Sequence, residues 1–290
     1  MPVAAIGLPQ ATPNAGYVVR RLRDPERAVR EAVAYFDTRS LPGAILVRDG
    51  ADAEAERACE ALGLTRARAI SNMARELTDN PPAPATRLDI VRCTTPREHE
   101  RHVRTDAAGF DEACETARLV FPASLLDASG YQAFTGLVHG EPVATATLWV
   151  TGRIAGVFGV SVLPAYRRQG FGAAMTRRAL DEGARLGCVA ASLQPSPMAL
   201  EMYEQIGFRS IAEYGLYVGR RSIGGGHEHA PSNLRAVRLH PPPAFPVASA
   251  CAFRVRYRRV RPPGRAQFLG ASLRYQQRRP SSTGCGCQLH

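Results

Sequence analysis

Apolar and polar positions follow different periods in different stretches of the chain. From Tyr131 to Val162 apolar residues recur every second position, which predicts three strands, Tyr131–His139, Pro142–Val150 and Ile154–Val162. Tight turns at His139-Gly140-Glu141 and Thr151-Gly152-Arg153 join them into an antiparallel meander. Past Pro164 the period becomes helical. Phe171, Met175, Ala179, Leu180, Gly183 and Leu186 share one face, and Gly187 is placed to stop the helix. A strand Cys188–Leu193 follows, then a helix over about Met198–Ile206 ended by Gly207, then two short strands, Phe208–Glu213 and Tyr214–Val218. Ahead of the meander, Arg87–Cys93 alternates as a strand, and two polar helices are expected, one from about Pro96 to Ala108 and one ending near Val120.

Two stretches lack any repeating apolar face: Asn80-Pro81-Pro82-Ala83-Pro84 and everything after about Arg221. They divide the chain into segments 1–85, 86–220 and 221–290. The middle segment orders its elements as strand, two helices, three strands, helix, strand, helix and two strands. That order is an α+β layout with a mixed, mostly antiparallel twisted sheet flanked by helices. The last segment is basic, rich in Pro, Arg and Gly, and expected to be disordered.

Charge sharpens this division. The formal net charge is +11, and residues 221–290 carry 12 arginines against the single acid Glu228, while residues 1–220 balance 25 arginines with 25 acids. The chain has no lysine and is heavy in Ala, Arg, Gly and Pro, a bias that GC-rich coding produces without selection for function. A nucleic-acid partner is therefore expected only if the tail binds one, through Arg254, Arg256, Arg258 and Arg259 interleaved with Phe253 and Tyr257. Prolines 2, 9 and 13 break the uncharged opening, and no apolar run reaches membrane-spanning length, so a cytoplasmic protein without membrane attachment is expected. The seven cysteines are scattered without a Cys-x-x-Cys pair and read as packed thiols. His99 and His102 have helical spacing, but amid Arg97, Glu98, Glu100 and Arg101 they read as a solvated helix face; no metal is expected.

The richest chemistry lies between the third meander strand and its helix, where the chain reads Val160-Ser161-Val162-Leu163-Pro164-Ala165-Tyr166-Arg167-Arg168-Gln169-Gly170-Phe171-Gly172-Ala173. A strand that ends in a glycine turn opening a helix offers free N–H groups and the positive end of the helix dipole to an anion. Gly170 and Gly172 let a phosphate approach the backbone, and Arg167 and Arg168 add charge. Such turns are also common architecture, so the turn by itself leaves both readings open.

The string resembles motif A of the GNAT N-acetyltransferases, Gln/Arg-x-x-Gly-x-Gly/Ala, here Arg167-x-x-Gly170-x-Gly172 after a strand-Pro-x-x-Arg lead-in. A second stretch, Leu193-Gln194-x-Ser196 followed by Ala199, Tyr203 and Gly207-Phe208, resembles the closing pattern of bacterial members. The resemblance covers residues 86–220. The resemblance implies acetyl-CoA as co-substrate, no metal, and direct attack by an amine in a ternary complex. The acceptor is a small-molecule or peptide amine of unknown identity, and a homodimer is left open. Carried over by position, backbone at Val160, Ser161 and Val162 holds the pantetheine and polarises the acetyl carbonyl. The amides of Gln169, Gly170, Phe171, Gly172 and Ala173 hold the pyrophosphate. Ser196 either bonds the pantetheine arm or caps the following helix, and Tyr203 protonates the departing thiolate or is a core aromatic. The alternative reading of this domain is a catalytically silent acyl-CoA-binding sensor or scaffold of GNAT fold.

The general base has no motif. Strand Ile154–Val162 holds no carboxylate, and Asp111, Glu112 and Glu115 are candidates that a solvated acidic helix start explains equally. One further pattern concerns the first segment. At an offset of 144 residues, Gly43 falls on Gly187, Ala55 on Ala199, Glu60 on Glu204 and Gly63-Leu64 on Gly207-Phe208. Cys59 stands at the place of Tyr203, with Glu26 and Ala28 at those of Gly170 and Gly172. A degenerate, noncatalytic GNAT half is the expectation, with chance likeness between two strand-helix-glycine units as the alternative.

Overall fold

In the computed structural model of the 290-residue chain, residues 1–4, 14–78 and 86–219 are described. The Asn80 to Pro84 stretch and segment 221–290, with the disorder and nucleic-acid contact expected of it, lie outside those residues.

The first segment supplies strands β1 (Val3–Ala4) and β2 (Ala15–Tyr17), helix α1 (Pro25–Asp37), strand β3 (Ala44–Arg48), helix α2 (Ala53–Ala61) and strand β4 (Thr65–Glu76). Asp24 caps α1 by accepting the Arg27 N–H at 2.9 Å, and Val29, Ala32 and Phe36 bury one helical face. The second segment supplies β5 (Asp89–Arg92), α3 (Pro96–Phe110), α4 (Cys114–Val120), β6 (Tyr131–Val138), β7 (Glu141–Thr151), β8 (Ile154–Val162), α5 (Phe171–Arg185), β9 (Ala190–Leu193), α6 (Leu200–Gln205) and β10 (Arg209–Val218). A capping box of Thr95 and Glu98 starts α3, satisfying two of its end groups reciprocally.

The ten strands of the described residues form one open sheet in the order β1-β2-β3-β10-β4-β9-β8-β7-β6-β5. Only β2 with β3 and β8 with β9 run parallel. The class is therefore α+β with a large, mostly antiparallel, helix-flanked sheet. On one face α5 seals the main core, in which Phe134, Leu148, Met175, Leu180 and Phe208 are fully buried. Leu186, expected on the apolar face of α5, instead sits at its C-terminal cap and stays 42% exposed, because Gly187 (φ +82°) turns the chain away there. The two closing strands expected after Gly207 are one. Glu213 and Tyr214, where a break was expected, pair without interruption with Ser71 and Ile70 of the long strand β4.

The 144-residue offset reappears in the element bounds. Shifted by it, α2 covers residues 197–205, which hold a 3-10 turn (Pro197–Ala199) and α6, and β4 starts where β10 does. Tyr214 pairs with Ile70, its own counterpart at that offset, so a local two-fold relation passes between β4 and β10. The outer pairings break the symmetry. Val218 faces Ala44 in β3, whereas Ala74, the counterpart of Val218, faces Ser192 rather than Cys188. This four-residue slide is even, so every side chain keeps its face of the sheet.

Since β4 lies between β9 and β10, a chain reduced to residues 86–219 leaves both of those strands with an open edge. It is expected to show no cooperative thermal unfolding by circular dichroism, in contrast to the full chain.

Candidate functional site

Two neighbouring strands open a cleft. The parallel ladder of β8 and β9 runs only from Ile154↔Ala190 to Gly156↔Ser192, yet β8 continues to Val162 while the chain after Leu193 enters its 3-10 turn. Beyond Gly156 the two strands part. Within the same stretch β8 bulges: Phe158 faces Thr147 and Ser161 faces Thr145, so two residues, Gly159 and Val160, stand opposite Ala146 alone. Gly159 adopts φ +53°, a backbone state that L side chains rarely enter.

The glycine turn closes one end of this cleft. Arg168 (φ +61°) and Gly170 (φ +79°) both take left-handed conformations, and together they reverse the chain into α5. Gly170 is the N-cap of α5 and no side chain caps that end, in contrast to α1 with its Asp24. The site where a Cβ of residue 170 would stand has no atom within 4 Å, so the helix end is open to approach. The amides of Phe171, Gly172 and Ala173 thus head a helix whose dipole favours an anion.

Side chains sort themselves less simply than their backbone. Arg167 stays exposed, yet its guanidinium is engaged, with Nε donating to Val162 O (3.1 Å) and Nη2 to Gly109 O (2.9 Å), which ties α3 to β8. Gln169 accepts from Arg87, and the buried Phe171 ring lies 5.8 Å from the same guanidinium, so Phe171 offers only its backbone. The Ser161 side chain is buried towards α3 and lies 2.7 Å from the Thr145 hydroxyl. Ser196 opens the 3-10 turn through its carbonyl and makes no side-chain cap. Tyr203 is buried, edge-on to Phe208 at 5.8 Å. Burial pushes its phenol up to about 12 against an opposing hydrogen bond with Thr176, whose own hydroxyl donates to Gly172 O at 2.9 Å. Thr176 thus links Tyr203 to the first turn of α5, a connection the sequence patterns had not singled out.

The face of α3 corrects a second expectation. His99 and His102 are not solvated but are 1% and 0% exposed. His99 Nε2 lies 2.9 Å from Tyr131 Oη, and His102 bridges Phe134 O (Nδ1, 3.1 Å) and Thr147 Oγ1 (Nε2, 3.3 Å). Burial pushes both imidazoles down, His102 to about 4, so both are neutral near pH 7. One turn further on, Asp106 is 4% exposed and accepts from Thr145 Oγ1 at 2.9 Å. Burial pushes its carboxyl up to about 7, although hydrogen bonds from Thr145 and Ser161 act the other way. A visible signal existed: His99, His102 and Asp106 share one helical face, and Thr145, Thr147 and Ser161 offer hydroxyls on alternating strand positions opposite. Asp111, by contrast, is the left-handed C-cap of α3, and Glu115 lies 3.6 Å from Arg118 on an exposed rim. Among the described residues no group of three or more His, Cys, Asp or Glu could hold a metal.

Comparison with known families matches residues 94–208 to the acetyltransferase (GNAT) family. This segment is a GNAT acetyltransferase domain. A GCN5-related N-acetyltransferase from Kribbella flavida superposes with a TM-score of 0.60 at 22% identity, over 76% of this chain and 85% of that one. Another from Sphaerobacter thermophilus gives 0.53 at 19%, covering 66% of each chain. A tandem GNAT protein from the clavulanic acid biosynthesis pathway gives 0.54 at 16%, over 73% of this chain and 75% of that one. At such identities the likeness is one of fold. Curated proteins yield no match. No helix of the described residues is long and apolar enough to cross a membrane.

The buried carboxyl of the GNAT domain has a thermodynamic signature. A folded value of about 7 against about 3.9 unfolded means that Asp106 favours the folded state fully below pH 3.9, and that this contribution is lost as pH rises to 7. The loss runs at about 1.4 kcal/mol per pH unit. Asp106→Asn cannot ionise. Its unfolding free energy relative to wild type is therefore expected to climb between pH 4 and 7, by on the order of 4 kcal/mol, and then level off; urea denaturation across pH 4 to 8 measures it.

Proposed function

We propose that the GNAT domain binds acetyl-CoA in the cleft between β8 and β9 and transfers its acetyl group to an amine. The observation that carries this reading is the uncapped N-terminus of α5, opened by Gly170, at the end of a bulged strand that has parted from its neighbour. The amides of Gln169 to Ala173 would take the pyrophosphate, with Arg168 adding charge, and the backbone at Val160 to Val162 would align the pantetheine and the acetyl carbonyl. Ser196, its hydroxyl not used as a cap, is available to the pantetheine arm.

Tyr203 would donate the proton that the departing CoA thiolate needs. A phenol pushed up to about 12 is protonated throughout the physiological range. We assign no transfer to the first segment, and read it as a GNAT half that has lost its site. Asp24 already caps α1, and at the place of Tyr203 stands Cys59, a buried thiol that burial pushes up to about 12. A cytoplasmic setting goes with the free thiols at Cys59, Cys93, Cys114 and Cys188.

Gly170→Asp and Gly172→Asp place a carboxylate where a phosphate would lie, and each is expected to weaken acetyl-CoA binding at least tenfold in calorimetric titration; unchanged affinity in both removes the assignment. Tyr203→Phe is expected to keep acetyl-CoA affinity and to lose about 100-fold to 10,000-fold in turnover, measured by thiol release over a panel of amines. Binding without release by the native chain would mark a sensor.

A further inference from the structure

We infer that Asp106 is the proton acceptor of the transfer, drawing the proton of the acceptor ammonium through the hydroxyls of Ser161 and Thr145. Granting the acetyl-transfer reading on which this rests, the sheet has two distinct faces at β8. Val160 and Val162 pack with the core beneath α5, while Ser161 and Gly159 turn towards α3. On the α3 face Ser161, whose own backbone lies in the stretch read as holding the thioester, begins a chain of proton-carrying groups. Ser161 Oγ lies 2.7 Å from Thr145 Oγ1, which lies 2.9 Å from Asp106 Oδ1 and 2.8 Å from Gly159 O. A Cβ on Gly159 would come within 3.1 Å of the same carboxylate oxygen, so only glycine lets the bulge and Asp106 meet so closely.

Thr145 has one proton and three oxygen neighbours. With Asp106 ionised, that proton points to the carboxylate; with Asp106 protonated, the carboxyl donates to Thr145 and Thr145 donates to Gly159 O. Both states are satisfied, as a relay requires. The step balances. An ammonium N–H proton passes to Ser161 Oγ, the Ser161 proton to Thr145 and the Thr145 proton to Asp106. The freed lone pair forms the C–N bond, the C–S bond breaks, and the thiolate takes a proton from Tyr203, which the remaining surplus proton on nitrogen replaces. Asp106 then releases its proton to solvent.

The groups facing Asp106 leave it as the one that titrates near neutrality. His102 on its own helix is neutral above pH 4, Glu112 past the helix end raises the carboxyl further, and Tyr131 on β6 stays protonated because burial pushes its phenol up. The Arg167 guanidinium is committed to Val162 O and Gly109 O.

The test is thiol release from acetyl-CoA between pH 5.5 and 9. Its acceptors are an aliphatic diamine, an aminoglycoside and a peptide with a free N-terminus, and water where none of them is turned over. The native chain is expected to show a rate limb rising with an apparent pKa near 7. Asp106→Asn should lose that limb and at least about 100-fold in rate with acetyl-CoA affinity unchanged by calorimetry. Thr145→Val, which keeps the carboxyl but cuts the relay, should lose the limb as well, and it carries the test if the Asn variant does not fold. A native limb and rate in either variant overturns the inference while leaving acetyl transfer intact, as does a native chain that binds acetyl-CoA but releases no thiol to any acceptor. A native chain that binds no acetyl-CoA overturns both readings.

Discussion

A strand inside a sheet must satisfy the hydrogen-bonding groups on both of its edges, and in this protein β9 and the inner edge of β10 obtain that satisfaction from β4. The two chain segments are thereby one sheet rather than two neighbours. Everything that defines the cleft depends on it, because β9 can part from β8 beyond Gly156 only if its other edge is held, and Met73 to Glu76 hold it. The opening is not a defect in pairing but a strand shared unequally between two partners.

On this frame the site divides its labour across the sheet. The α5 side offers backbone: a left-handed glycine and a bare helix end, whose free N–H groups are suited to an anion. The α3 face supplies side chains, and among its buried groups are two neutral imidazoles and a carboxyl surrounded by hydroxyls rather than cations. Arg167 joins the two by spanning from α3 to β8, which makes it a brace more than the surface charge its place in the motif implies.

Much of this was legible in the sequence. The meander, α5 and the glycine turn announce themselves because their periods are short-range and their punctuation is glycine. The 144-residue echo is likewise a local pattern that happens to recur. What could not be read was anything set by distant partners. That β4 would lie between β9 and β10, and that Glu213-Tyr214 would continue a strand, follow from pairings between segments more than 100 residues apart. The face of α3 departs from its sequence pattern for a related reason. Pro-Arg-Glu-His-Glu-Arg-His looks solvated when polarity is taken as exposure, but the opposing sheet carries Tyr131, Thr145, Thr147 and Ser161, which make a polar interior affordable.

The order of synthesis meets the sheet order awkwardly. Strands β3 and β4 emerge early, yet the strand that belongs between them is β10, the last of the described strands. At about 5 to 20 residues per second, the ribosome completes β4 roughly 7 to 30 seconds before β10 is available. Throughout that interval the first segment cannot close its own sheet and carries an unfilled gap flanked by the apolar run Ala44 to Val47. In that interval the nascent chain exposes unpaired strand edges and apolar surface. Closure of this part of the sheet therefore waits on translation of a strand more than 100 residues downstream.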